Sequence, residues 1–187
     1  MGNEQNAIGE YSTLSVGRIN FPVRSLAVGN TPPAPVGLPP YAAYAYTLLD
    51  DSYLQAPLPA DYNIGTETDL SVYLRWGCNE NFAANNAEVS WQVEWNLCGQ
   101  NTEALPGRRR GLVCEGDNPI PVTARMVQET RIADIADDYI QTGDTIGLTI
   151  TRVAIEDGTE PTAEPEIYAV WIIYERMHVW GQVALNS

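Results

Sequence analysis

The chain of 187 residues contains one histidine, His178. Any Ser-His-Asp or Cys-His site would have to be built on that imidazole. It sits in "ERMHVWGQ", directly after an apolar stretch, where a packed or interface histidine is the plainer reading. Asp134, Asp137, Asp138 and Asp144 gather around one loop. Calcium needs six or more oxygens at set offsets, and the EF-hand pattern is absent, so a solvated acidic turn is expected. Glu88 and Glu94 could form a carboxylate pair of the glycosidase kind. In "EVSWQVEWNLC", however, they alternate with Trp91 and Trp95, which puts acids and aromatics on opposite faces of a strand. The companions of the two tryptophans are Val89, Val93 and Leu97, so that face reads as core and not as a sugar platform. No metal, cofactor or catalytic residue is expected, and the chain does not read as an enzyme.

Cys78, Cys98 and Cys114 contain no C-x-x-C, which argues against zinc. Cys98 and Cys114 flank a long loop. A bridge between them would close about 15 residues and contribute roughly 3 kcal/mol in the entropic account. Cys78 would then stay free or pair between chains. "GRRRG", Gly107 to Gly111, is a basic cluster in an acidic chain. Arg108, Arg109 and Arg110 are therefore candidate interface residues, facing an acidic neighbour copy, a lipid phosphate or a carboxylate.

The charge balance narrows the partners. There are 24 acids and 10 bases, a formal −14, and every base is arginine. The pI near 4.2 excludes nucleic acid as a direct partner, because phosphate contacts need a basic surface. Missing lysine fits either a GC-rich genome or life in concentrated salt, where screening removes self-repulsion. "MGNEQNAIGEYS" reads as neither a signal peptide nor a myristoylation site. No stretch approaches the ~18 apolar residues of a helical membrane span. A soluble protein that does not take the usual export route is expected.

The elements that must hold these residues are mostly strands. Period-two alternation marks Leu70–Trp76, Val89–Leu97, Val122–Met126 and Ile146–Ile150. Further strands are expected from Leu14 and over Tyr41–Leu49. "GNTPPAPVGLPP" carries five prolines and reads as a stiff extended connection. "NENFAANNAE" is expected to be a hairpin loop. "GQNTEALPGRRRGLVCEGDNP" is expected to be one long loop, and "EDGTEPTAEP" an exposed turn. Ile132, Ile135 and Tyr139 have helical spacing, which allows a short helix. "IYAVWIIY", Ile167 to Tyr174, is apolar on both faces, so its outer face must be covered by this chain or by a neighbour. Trp171 and Ile173 are candidate interface residues there. The whole chain, 1–187, is expected to form one all-β jelly-roll domain of about eight antiparallel strands.

The order of the segments resembles a known group. "APLPADYNIGTETDLSVYLRW" supplies a Pro-x-x-Tyr lead-in to a strand, then "AEVSWQVEW" follows, then "DDYIQTGDTIGLTITR", then the final apolar strand. The turn at Gly143 and Asp144 and the run Ile146, Leu148, Ile150, Arg152 fit the same order. This is similar to the single jelly-roll proteins of virus shells, above all the smaller major capsid protein of haloarchaeal icosahedral viruses with an internal membrane. The resemblance implies a virion structural protein of upright barrels. It implies capsomers built with itself and a related larger capsid protein, near an internal membrane or its proteins. A decoration or cement protein of a tailed-phage head and a carbohydrate-binding jelly roll are the alternatives.

Overall fold

The computed structural model describes residues 16–36, 42–59, 69–82, 86–99, 110–136, 140 and 143–176. Two antiparallel sheets face each other. The strands are β1 (Val16–Pro22), β2 (Ala27–Val28), β3 (Ala34–Val36), β4 (Ala43–Ala45), β5 (Asp51–Pro57), β6 (Leu70–Gly77), β7 (Glu88–Cys98), β8 (Arg110–Pro119), β9 (Val127–Ile135), β10 (Thr145–Val153) and β11 (Glu166–Glu175). One sheet runs β3-β4-β11-β6-β9, with β1 also on β11; the other runs β2-β5-β10-β7-β8.

The pairings β7–β8, β6–β9, β5–β10 and β1–β11 nest outward from the β7–β8 loop and alternate between the sheets. That is one long hairpin folded over twice, the jelly-roll arrangement. Contacts β7–β10 and β6–β11 then close each sheet.

The core forms where the alternating apolar sets meet. Val89, Trp91, Val93, Trp95 and Leu97 point inward from β7; Leu70, Val72, Leu74 and Trp76 point inward from β6. Trp76 and Trp91 meet edge to face across the sheets, with ring centroids 5.9 Å apart at 74°, a favourable arrangement for two π-systems. Tyr46 meets Trp91 in the same way at 5.5 Å and 84°. Ile146, Leu148 and Ile150 line β10 beneath them.

Several expectations change. The segment after Cys78 carries the chain from β6 in one sheet to β7 in the other, so it is a crossover between sheets and not a hairpin. The second half of the expected long loop, from Arg110, is β8, which reads weakly because glycine and a polar tail interrupt its alternation. Val122–Met126 is a turn, not a strand; the strand begins at Val127. Ile132 and Ile135 lie on that strand, β9, and not on a helix. A register shift in the β6–β9 ladder, between Val72 and Tyr73, makes Ile132 and Ala133 both buried and so breaks the period-two pattern. The strand expected over Tyr41–Leu49 shrinks to Ala43–Ala45, and Pro35 sits in edge strand β3, where a missing N–H is tolerated. Leu14 and Tyr139 lie outside the described residues.

Candidate functional site

The two-faced strand β11 resolves cleanly. Ile167, Val170, Ile172 and Tyr174 belong to the core, with a register shift between Ile167 and Ala169. Trp171 lies on the other face yet is only 2 % exposed. Arg18 of β1 places its guanidinium 3.9 Å from the ring centroid. Tyr73 of β6 stacks parallel to it at 5.9 Å and 2°. The cover therefore comes from this chain, and Trp171 has no ring face left to offer a neighbour. Ile173, opposite Arg18, is half-buried on the same side. Arg75 pairs with Glu129 at 3.4 Å and Arg131 with Asp134 at 2.8 Å along that outer face.

The remaining candidates do not converge. Arg108, Arg109, Asp137, Asp138 and His178 lie outside the described residues, and Arg110 is described only as the first residue of β8. Asp144 is buried, whereas Asp134 is engaged by Ser71 at 2.6 Å on the sheet face. Among the described residues no three His, Cys, Asp or Glu side chains group as a metal site. Cys98 and Cys114 are both free thiols. Cys114 lies opposite Gln92, six positions along β7 from Cys98. Six strand steps are about 20 Å, and a disulfide needs Cα atoms within ~7 Å. The register therefore excludes that bridge.

One polar cluster is interior. Arg152 continues the inward set Ile146, Leu148, Ile150 and is buried at the end of the sandwich. Its Nη2 donates to Glu160 Oε2 at 2.6 Å and its Nη1 to the Tyr46 carbonyl at 2.8 Å. Glu160 Oε1 also accepts from the Ile155 amide at 3.1 Å. The Tyr46 hydroxyl donates to Ser52 Oγ at 2.6 Å. This network ties the 154–165 connection to β10, to β5 and to the segment that follows β4, while Arg152 Nε is buried without a hydrogen-bond partner.

The open site lies on the outer face of the second sheet. Tyr53, Leu54 and Gln55 of β5, Gly147, Leu148 and Thr149 of β10, and Glu94 and Asn96 of β7 line a depression of about 250 Å³. The ladders align two rows across it, Tyr53–Thr149–Glu94 and Gln55–Gly147–Asn96. Tyr53 is 49 % exposed. Asn96 Oδ1 is buried without a hydrogen-bond partner. The alternation of β7 keeps Glu94 apart from aromatics only within that one strand. Tyr53 reaches the same face from β5, and the alternation in "DSYLQAP", inward Ser52, Leu54 and Ala56, is the signal that could have found it.

No protein-family model matches the chain, and no curated protein matches it. Solved structures do. The mosquito-larvicidal Cry4Aa toxin from Bacillus thuringiensis aligns at TM-score 0.52 and 9 % identity, over 86 % of this chain and 24 % of the toxin chain. A family 35 carbohydrate-binding module from Clostridium thermocellum aligns at TM-score 0.48 and 10 % identity, over 83 % of this chain and 97 % of the module. A chain of infectious bursal disease virus, Gx strain, aligns at TM-score 0.31 and 10 % identity, over 91 % of this chain and 33 % of the viral one. At 9 % identity the toxin alignment speaks to the fold alone.

Proposed function

We propose that the chain is a structural subunit of a virus shell, the smaller major capsid protein of a virion with an internal membrane. It builds capsomers with itself and a related larger capsid protein. The observation that supports this most is Leu49. It stands third in the turn Thr47–Asp50 with φ of +69°, a place that glycine or asparagine normally fills. The turn is held by Thr47 N–H to Asp50 Oδ2 at 2.7 Å and by Leu49 N–H to the Arg152 carbonyl at 2.8 Å. Strain is thus accepted to display a leucine that is 65 % exposed. At the same end of the sandwich, the turn after β8 displays Val122 and Met126, with Arg125 also at positive φ. Apolar side chains on stiff turns suit a repeating contact between subunits better than a soluble monomer.

Light scattering across a salt series tests this reading. Between about 0.1 M and 1 M NaCl the Debye length falls from ~10 Å to ~3 Å, which relieves repulsion between acidic copies. Oligomers are expected at the high end, dissociating as salt falls, with Leu49→Asp and Val122→Asp remaining monomeric. A monomer at every salt and protein concentration would contradict it. In a purified virion, a barrel within the shell lattice rather than on its outside separates a shell subunit from a decoration protein.

A further inference from the structure

Gly147 sits in β10, with β5 on one side and β7 on the other. Glycine weakens a strand interior, and in such places it often marks a close approach by another backbone or a ligand. Here nothing in the fold requires it. A Cβ added at Gly147 would meet only the Asn96 and Leu54 carbonyl oxygens, at 3.8 and 4.0 Å, ordinary contact distances. Gly147 is also absent from the positive-φ glycines. Other strand glycines differ. A Cβ on Gly17 would collide with the Tyr174 ring, and one on Gly111 would fall 2.5 Å from the Trp95 indole. Those two are emptied by this chain's own aromatics; the space over Gly147 is left to solvent.

The side chains around that space have a consistent chemistry. Tyr53 offers an exposed ring at one wall. Glu94 offers acceptors, Gln55 and Thr149 offer donors and acceptors, and Asn96 has a carbonyl oxygen without a donor. No described hydrogen bond or ion pair uses the side chains of Tyr53, Gln55, Glu94 or Thr149. The described bases of the other sheet, Arg18, Arg75 and Arg131, face away, and none lines the depression. An aromatic face beside several hydroxyl partners, with one carboxylate and no base among the described side chains that line it, suits an uncharged ring that carries hydroxyl groups. Its volume is below the ~300–1,000 Å³ of drug-sized sites, so it holds one ring and not a chain.

We propose that the depression over Gly147 binds a single neutral pyranose sugar. The C–H face of the sugar stacks on Tyr53, and its hydroxyls donate to Glu94 and exchange hydrogen bonds with Gln55 and Thr149. This stands independently of the shell reading, since a lone chain carries every residue used.

The test is an amide-resolved NMR titration of the full chain with methyl α-D-mannopyranoside, methyl β-D-glucopyranoside and methyl β-D-galactopyranoside, with glucuronate as the anionic control. One of the neutral sugars should shift residues 53–55, 94–96 and 147–149 with a dissociation constant of about 1–10 mM, the range expected for so small a ligand. Tyr53→Ala should weaken it about tenfold, the scale of one lost stacking contact. Gly147→Val should abolish it by filling the floor, while its melting temperature stays at or above that of the parent. Glucuronate should bind more weakly than the neutral sugar. Absence of shifts with all three sugars overturns the proposal. So does a sugar response that survives Gly147→Val, or shifts at these residues that follow protein concentration without sugar, which would place a second copy there instead.

Discussion

The two sheets finish their outer faces in opposite ways. On the β1–β11–β6–β9 side the chain supplies its own cover: Trp171 under Arg18 and beside Tyr73, with Arg75–Glu129 and Arg131–Asp134 on the same face. On the β5–β10–β7 side Tyr53 stands half-exposed beside a glycine, a glutamate that no described group engages, and a depression. Both faces obey the same alternation of inward apolar and outward polar residues. What differs is whether the outward side chains are occupied in contacts with one another. The face whose outward groups hold each other is structural, and the face whose groups stand free is where a partner molecule can find chemistry.

The largest effects should come from the interior that both faces share. Trp91→Ala removes the ring that contacts Trp76 and Tyr46 across the sheets and should cost about 3–5 kcal/mol in denaturant unfolding. Breaking the closed sheet directly is next. Gly17→Val drives a side chain into the Tyr174 ring and should cost about 1–3 kcal/mol. A loss at Gly147→Val as large as at Gly17→Val would erase the distinction between the faces.

Tyr46 packs on the inner side of the open sheet, against Trp91. Its hydroxyl bonds Ser52, which is fully buried next to exposed Tyr53 on β5. Tyr46→Phe should cost about 1–2 kcal/mol by orphaning that serine. Burial pushes the Tyr46 phenol well above its ordinary value, only partly opposed by the Ser52 bond. Burial and the bond to Glu166 push Tyr168 up to about 12. Both groups hold their proton more tightly folded than unfolded. Their contribution is therefore complete below about pH 10, the unfolded value, and is lost as pH rises through the folded values. Melting temperature should fall above about pH 10, and Tyr46→Phe should flatten that fall.

The smallest effect concerns thiols. Cys98 and Cys114 are exposed, while Cys78 is buried, with its thiol pushed up by burial and its Sγ 3.4 Å from the Ala163 carbonyl. Native alkylation followed by mass spectrometry should label the first two promptly, leave Cys78 until unfolding, and leave the melting curve unchanged. A 98–114 disulfide in the unreduced chain would contradict the β7–β8 register.

The sequence made the inward sets of β6, β7 and β10 plain, because each keeps a strict period of two and no residue there serves a second purpose. It hid β5 and β8. Ser52 and Ala56 are small inward residues, and Gly111 replaces an inward side chain so that Trp95 can lie across it. Strand β9 resembled a helix because its ladder shifts register, and the shift brings Ile132 and Ala133 inward together. The depression was illegible for a different reason. Its residues come from three strands, and only the pairing registers bring Tyr53, Glu94 and Gly147 together. Arg152 kept its period but changed its meaning: an inward arginine reads as an error in alternation until Glu160 is seen to meet it.

The comparison of faces rests most directly on one paired measurement, equilibrium unfolding in denaturant of Trp171→Ala and Tyr53→Ala. Trp171 is packed against Arg18 and Tyr73, so its truncation should cost about 3–5 kcal/mol. Tyr53 borders open space, so its truncation should stay within about 1 kcal/mol of the parent. Equal losses at the two positions would mean that the second face is as structural as the first, and that the depression is a gap in the packing and not a site.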